Sequence, residues 1–305
     1  MRRLFLVLLL ACSGGNGGLD GSVSVDAGDG EDAATEDAAT EDAADARLDA
    51  GVATYALMRI ADGVGGAHGF ARGPSGDLWI ADSHSSLGTP GAVYRWEEPF
   101  TGALERTTIE GPRPSGLFFE ADGALVVSDP GARTVVRYRD GAEPETIASV
   151  DAWNVIPDGS GFIAITFSGS LLRVASGGDV SAIRGGLQNP FDVARDPSGC
   201  FWVSEQGPSG EVGGGVRCWS PSGELVREIP YEWVNPEGVA VDVDGGVWIA
   251  ETARGELLRW DGSAVEVVAA DLSVPVVLTN DGEDLLLATV GRPTPTLYQI
   301  VRSVR

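Results

Sequence analysis

Lysine is absent from the 305 residues: all 21 basic side chains are arginine. Without a lysine amine there is no Schiff-base nucleophile and no lysine-dependent phosphate loop. Histidine is nearly absent, so imidazole chemistry has only His68 and His84 to use. No serine lies in a Gly-x-Ser-x-Gly elbow and no His-Glu-x-x-His occurs, which leaves serine-hydrolase and thermolysin-like readings without support. Gly213, Gly214 and Gly215 open no helix, so a phosphate cradle is not expected there. The apolar run Leu4 to Ala11 falls far short of the roughly 20 residues of a membrane-spanning helix.

What the chain has in excess is acid, 45 carboxylates for a net charge of −24. Eleven acids and one arginine fall between residues 19 and 50, and two more arginines stand in the first three residues, leaving −16 on the remainder. With no basic face to meet a phosphate backbone, a nucleic-acid partner is not expected.

The start MRRLFLVLLLACSGG places two arginines before the apolar run and Cys12 directly after it, the order of a secretory signal. Leu9-Leu10-Ala11-Cys12 resembles the lipobox of bacterial lipoproteins, which implies cleavage before Cys12 and lipid attachment to its sulfur. Ser13 rather than Asp follows, which in that family implies outer-membrane sorting. Residues 12–53, rich in Gly, Ala, Asp and Glu with EDAAT written twice, carry too little apolar surface to offset the entropy of ordering and read as a disordered acidic tether. The expected organisation is a leader over 1–11, a tether over 12–53 and a folded domain over 54–305.

That domain repeats itself. NPEGVAVDVDGGVWIAET, Asn235 to Thr252, has echoes in GAHGFARGPSGDLWIADS, RPSGLFFEADGALVVSD, AWNVIPDGSGFIAIT, NPFDVARDPSGCFWVSE and VPVVLTNDGEDLLLAT. The "Pro" position falls at Ala67, Pro114, Ala152, Pro190, Pro236 and Pro275, a period near 42 residues. Alternating apolar residues, Gly-rich turns and this period predict blades of four antiparallel strands. Trp79, Trp202 and Trp248 recur at one blade position and Trp96, Trp219 and Trp260 at another, which marks packing between blades. The sixth copy has only three strands, and TYALMRIAD supplies the fourth. The expected fold is therefore all-β, a six-bladed β-propeller whose N-terminal strand, Thr54 to Asp62, closes the last blade and removes a free edge.

Residues just before strand one and just after strand two of each blade are expected to crowd one channel mouth. The first set is His68, Ser115, Trp153, Phe191, Glu237 and Val276; the second is Asp82, Asp129, Thr166, Glu205, Glu251 and Thr289, with His84 close behind. Ser115, Trp153, Asp129 and Glu205 are the expected ligand contacts. Trp153 and Trp233 break the repeat, and Trp153 reads as a plug of the axis, with stacking on a ligand as the alternative.

The six-copy Pro-x-Gly, Asp-Gly, strand-Ala-Asp/Glu pattern resembles the gluconolactonase and senescence-marker-protein group of six-bladed propellers, and also NHL-repeat propellers. The lactonases imply a calcium or zinc ion held by a Glu of the first blade, an Asn and an Asp. Here His68 stands in the Glu place, Phe191 in the Asn place and Glu237 in the Asp place. Calcium wants six to eight oxygens, and a phenylalanine offers none. Zinc would accept His68 and Glu237, with Glu251 or Asp82 completing the set. On that reading the metal-bound hydroxide attacks a lactone or ester, with His68 as the alternative general base.

Cys200 and Cys218 fall on neighbouring strands of the fourth blade at even separation, and export to an oxidising compartment favours a disulfide clamping the Gln206 to Gly215 hairpin. Three functions follow from the sequence. The leading one is a monomeric, lipid-anchored propeller of the cell envelope that binds a small molecule or an envelope protein at its channel mouth and has no certain cofactor, touching membrane only through its anchor. The alternatives are the metal-dependent hydrolase just described and a purely structural lipoprotein.

Overall fold

The structure, a computed structural model, describes residues 53–62, 66–83, 90–97, 104–208, 211–280, 285–289 and 296–304. The leader with Cys12, the acidic segment through residue 52, and His84 lie outside the described residues. Strand β1 (Ala53–Asp62) comes first. Blade 1 is β2 (Ala67–Arg72), β3 (Leu78–Asp82), β4 (Gly91–Trp96) and β5 (Glu105–Gly111); blade 2 is β6 (Leu117–Phe119), β7 (Leu125–Asp129), β8 (Thr134–Tyr138) and β9 (Glu145–Ala148). Blade 3 is β10 (Ala152–Asp158), β11 (Gly161–Thr166), β12 (Ser170–Val174) and β13 (Val180–Gly185); blade 4 is β14 (Pro190–Arg195), β15 (Phe201–Glu205), β16 (Gly215–Trp219) and β17 (Leu225–Glu228). Blade 5 is β18 (Pro236–Val241), β19 (Val247–Glu251), β20 (Glu256–Trp260) and β21 (Val265–Ala269), and blade 6 is β22 (Pro275–Asn280), β23 (Leu285–Thr289) and β24 (Thr296–Val304), completed by β1. Six four-stranded antiparallel sheets in this order make a six-bladed β-propeller.

The Gly-rich motif of each copy is the hairpin between strands one and two. In blades 1, 2, 4 and 5 the amide of Gly76, Gly123, Gly199 or Gly245 donates to the carbonyl three residues earlier, at φ between 82° and 87°. A side chain at that φ is strained, so the turn asks for glycine.

No blade buries itself. The apolar side chains gather in six seams, each shared by adjoining blades. Across them Trp202 meets Trp260 edge-on at 5.3 Å, Trp79 meets Phe119 at 5.6 Å, and Trp248 meets Tyr55 of β1 at 4.8 Å. The repeated tryptophans are thus seam residues. Trp233, outside the repeat, is buried in the seam between blades 4 and 5 and its carbonyl accepts the amides of Gly213 and Gly214.

A second repeated device holds strands two and three to the turn. Indole N–H groups of Trp79, Trp202 and Trp248 donate to Asp77, Asp196 and Asp242 at 2.7, 3.1 and 2.9 Å. Arg95 pairs with Asp77, Arg137 with Glu120, Arg173 with Asp158 and Arg259 with Asp242. Each of these arginines occupies one register position on strand three: Arg95 faces Trp79, and Arg259 faces Trp248. In blade 4 the residue facing Trp202 is Cys218. Its disulfide partner Cys200, with a Cα separation of 5.8 Å, stands where blade 1 has Asp77. A covalent bond in blade 4 therefore takes the two positions that an ion pair takes in blade 1.

Candidate functional site

Strands β2, β6, β10, β14, β18 and β22 are the edge strands that surround the axis, and side chains of the ring take some of their amides, those of Val155, Val193 and Val239 among them. At their starting ends the axis is closed. His68 of blade 1 lies edge-on to Trp153 of blade 3 at 5.1 Å and 6.1 Å from Phe191 of blade 4, and Trp153 and Phe191 meet at 5.1 Å. Side chains from blades 1 and 4 can touch only by meeting over the axis. Trp153 is 5% exposed, with the Arg113 guanidinium 4.5 Å above its ring and exposed Phe167 at 6.0 Å. Ser115 is fully buried at the same level, and its hydroxyl finds no partner.

Truncating the plug is expected to be costly. Trp153→Ala should lower unfolding free energy by about 3–5 kcal/mol, as for other buried Trp-to-Ala changes, with Trp153→Phe recovering part of the loss. Urea unfolding measures this; a loss below about 1 kcal/mol would show that the indole is not packed there.

The acids expected at this mouth serve the chain that enters each blade. Asp129 accepts the amides of Arg113 (3.1 Å) and Ala132 (2.8 Å), Glu205 the amide of Gln188 (2.8 Å), and Glu251 the amides of Val234 (3.2 Å) and Asn235 (2.8 Å). Glu205 also takes Arg217 at 2.9 Å. Asp129 and Glu205, expected as ligand contacts, and Glu251, expected on a metal, are thus structural caps: buried entry loops need acceptors for their N–H groups. Burial raises the Glu251 carboxyl in spite of these donors. Glu237 is held by Gln206 at 3.1 Å and Asn235 at 2.9 Å, and burial, with the Glu251 charge adding to it, pushes it up to about 7. Asp82 ends β3, half-buried.

The expected metal set His68, Glu237, Glu251 and Asp82 does not converge. Among the described residues the one group of three His, Cys, Asp or Glu ligand atoms lying within 4.8 Å of one another is Asp196, Cys200 and Cys218, and two of these are the disulfide. His68 is wedged between aromatic rings and Glu251 is spent on backbone amides, so these residues do not fit a catalytic zinc, which needs three protein ligands around one point.

Two residues that did not stand out in the sequence lace the inner ring. Asn154 and Asp192 occupy the slot that is Gly69, Gly116 or Gly238 in other blades. The Asn154 amide donates to Asp192 across blades 3 and 4, and Asp192 accepts the amides of Val193 (2.8 Å) and, in blade 5, Val239 (2.9 Å). A Cβ on Gly116 would run into Asn154 Oδ1 and the Val155 amide, so the neighbour must stay glycine. Asp192 is 4% exposed, and burial pushes it up to about 7 against those donors. The signal was present: a polar residue replacing a repeat glycine.

Beneath the plug lies a cavity of about 460 Å³, lined by inner-strand residues of all six blades from His68 down to Arg72, Pro157, Arg195 and Thr279. Exposure rises along the strands away from the plug, from buried Val155 to exposed Pro157 and from buried Val193 to exposed Arg195. The cavity therefore opens on the face opposite the one expected to carry the site.

No family model matches the chain, and no curated protein matches it in sequence. Solved structures do. The PQQ-bound aldose sugar dehydrogenase of Streptomyces coelicolor superposes at TM-score 0.65 with 13% identity, over 83% of this chain and 99% of that one. A gluconolactonase of Xanthomonas campestris gives 0.63 and 15%, over 85% and 93%. Virginiamycin B lyase of Staphylococcus aureus, with quinupristin, gives 0.58 and 13%, over 82% and 99%. Three chemistries share this architecture, so at these identities the likeness is one of fold.

Proposed function

We propose that the chain is a binding propeller of the bacterial cell envelope, tied to the outer membrane by a lipid on Cys12, spaced from it by the acidic tether, and taking a small ligand in its axial cavity. The observation that carries the reading is the cavity itself. Its volume lies within the usual 300–1,000 Å³ of small-molecule sites, it is closed at one end by His68, Trp153 and Phe191, and it opens at the other. The dispersal of His68, Glu237, Glu251 and Asp82 speaks against metal-dependent lactone hydrolysis.

The test is a thermal-shift screen of a metabolite library against the wild type and Ala194→Trp, a lining position that also packs on the seam between blades 4 and 5, read once the variant is shown to melt cooperatively near the wild type. Hits that stabilise the wild type and lose their effect in the variant are expected. Lactone turnover above the blank with added zinc or calcium, or hits indifferent to Ala194→Trp, would overturn the reading.

A further inference from the structure

We infer that the seam between blades 3 and 4 holds a second ligand site, apart from the axial cavity, which takes the carboxylate of a small organic acid onto Arg184 and the indole N–H of Trp219. The site stands whether or not the axial cavity takes a ligand.

The hollow there measures about 340 Å³ and shares no lining residue with the axial cavity. Arg184 comes from β13, the last strand of blade 3; Trp219 comes from β16 and Leu225 from β17 of blade 4, and the strand register sets those two side by side. Glycine leaves the room. A Cβ on Gly186 would meet nothing within 4 Å, and one on Gly215 would stand 2.5 Å from the Arg217 guanidinium, so the missing side chain lets that arginine fold back to Glu205 at 2.9 Å.

Trp219 carries the inference. It is 6% exposed, packed with Leu171, Leu187 and Phe201, and its indole N–H finds no acceptor. A buried donor left unmade is costly, so an acceptor brought by a ligand removes a penalty as well as adding a bond. The Arg184 guanidinium lies 4.5 Å from the ring centre and makes no ion pair among the described residues. Stacking by itself belongs to the seam, since Arg227 lies 5.4 Å over Trp260 one blade on. Blade 4 differs by the hollow and by the unmet N–H, which is not found at Trp260.

The other charges of the hollow are already matched. Arg217 meets Glu205 and, at 2.8 Å, Glu228, while Glu205 also accepts the Gln188 amide at 2.8 Å. Ser209 and Gly210, the hairpin residues outside the described set, carry no charge. A guanidinium and an indole N–H are thus left facing the apolar surfaces of Leu187 and Leu225. One carboxylate has lone pairs enough for both donors, and a short apolar body suits the two leucines. Arg184 is exposed, so this one long side chain can swing aside and follow the acid onto the indole edge.

Proton–nitrogen correlation spectra of the full chain would follow the eight indole signals, with Trp219→Phe identifying its own. The matched probes are butyrate against butyramide and N-acetylleucine against N-acetylleucinamide. At least one acid is expected to shift the Trp219 signal at or below about 10 mM and to bind at least about tenfold tighter than its amide. Trp219→Phe and Arg184→Gln, the latter an exposed change, should each weaken that acid about five- to tenfold. Leu225→Asp, also exposed, sets a carboxylate in the hollow and should abolish binding with the melting temperature near wild type. A Trp219 signal that no acid moves, or that acids and amides move alike, would overturn the site. An acid whose affinity is unchanged in Arg184→Gln and Leu225→Asp would overturn it too, and sensitivity of that acid to Ala194→Trp would assign it to the axial cavity instead.

Discussion

A chain lacking residues 1–62 is expected to lose its cooperative fold and to aggregate, whereas a chain lacking residues 1–51 should melt within about 3 °C of the full-length protein, a difference of about 1 kcal/mol. The two differ by β1, which pairs with β24 over nine residue pairs from Ala53↔Val304 to Asp62↔Thr296. Its half-buried Tyr55 and Leu57 pack on the seam between blades 5 and 6, and Ile60 on the seam between blades 6 and 1. Three such side chains at about 1–1.5 kcal/mol each, with the ladder they accompany, use much of the 5–15 kcal/mol by which a domain is stable. Loss of β1 would also expose the full edge of β24 to other chains. Size-exclusion chromatography and a melting scan of both truncations decide the matter: a monomeric 63–305 chain with a wild-type melt would refute the clasp as a stability element.

Stability is expected to peak in mildly acidic solution and to fall as pH rises from about 5 to about 8. Asp192 carries the largest part. Its folded value of about 7 lies above the ordinary carboxylate range, so between about pH 4 and 7 the folded chain holds a proton the unfolded chain has released, and stability drops through that window. A displacement of about three pH units corresponds to at most about 4 kcal/mol for this buried group. Glu237, also at about 7, acts in the same direction. The acid side is set by groups of opposite sign. Asp261 is held at about 2 by the Ala264 and Ser263 amides and the Ser263 hydroxyl, and Asp77 is held low by Arg95 and Trp79 although its burial opposes this. Their contributions are present above about pH 4 and vanish as pH falls toward their folded values. In Asp192→Asn the neutral side chain cannot ionise, so the decline above pH 5 should flatten even if the variant starts about 1–3 kcal/mol lower from imperfect pairing with Asn154 and Val239. Urea unfolding at pH 5, 6.5 and 8 gives the slopes; equal slopes for wild type and variant would rule out Asp192 as the source.

The fold was legible because repetition is a property of spacing. Six copies of one turn and two tryptophan positions, together with the missing fourth strand of the last copy, specify blade number and closure. The site was less so, for physical reasons visible in particular residues. The repeat register says that Asp129, Glu205 and Glu251 come to one face, but not that the buried amides of Arg113, Gln188 and Asn235 will claim their oxygens. It puts His68, Trp153 and Phe191 at one mouth and reads Trp153 as a plug, but that His68 and Phe191 pack on the indole to complete the closure depends on rotamers that no periodicity encodes. Asn154 and Asp192 were readable only as departures from a glycine.

The exchange of Asp77 and Arg95 for Cys200 and Cys218 between blades 1 and 4 ties one sector of the ring to its surroundings in a way the others are not. Blades 1, 2, 3 and 5 carry an arginine–carboxylate clamp in any redox state; at that position blade 4 acquires its link only where thiols can be oxidised. Synthesised behind a reducing barrier, the same polypeptide would close with its fourth sector held by the Trp202–Asp196 bond alone at that turn, so its durability depends on the place where folding finishes.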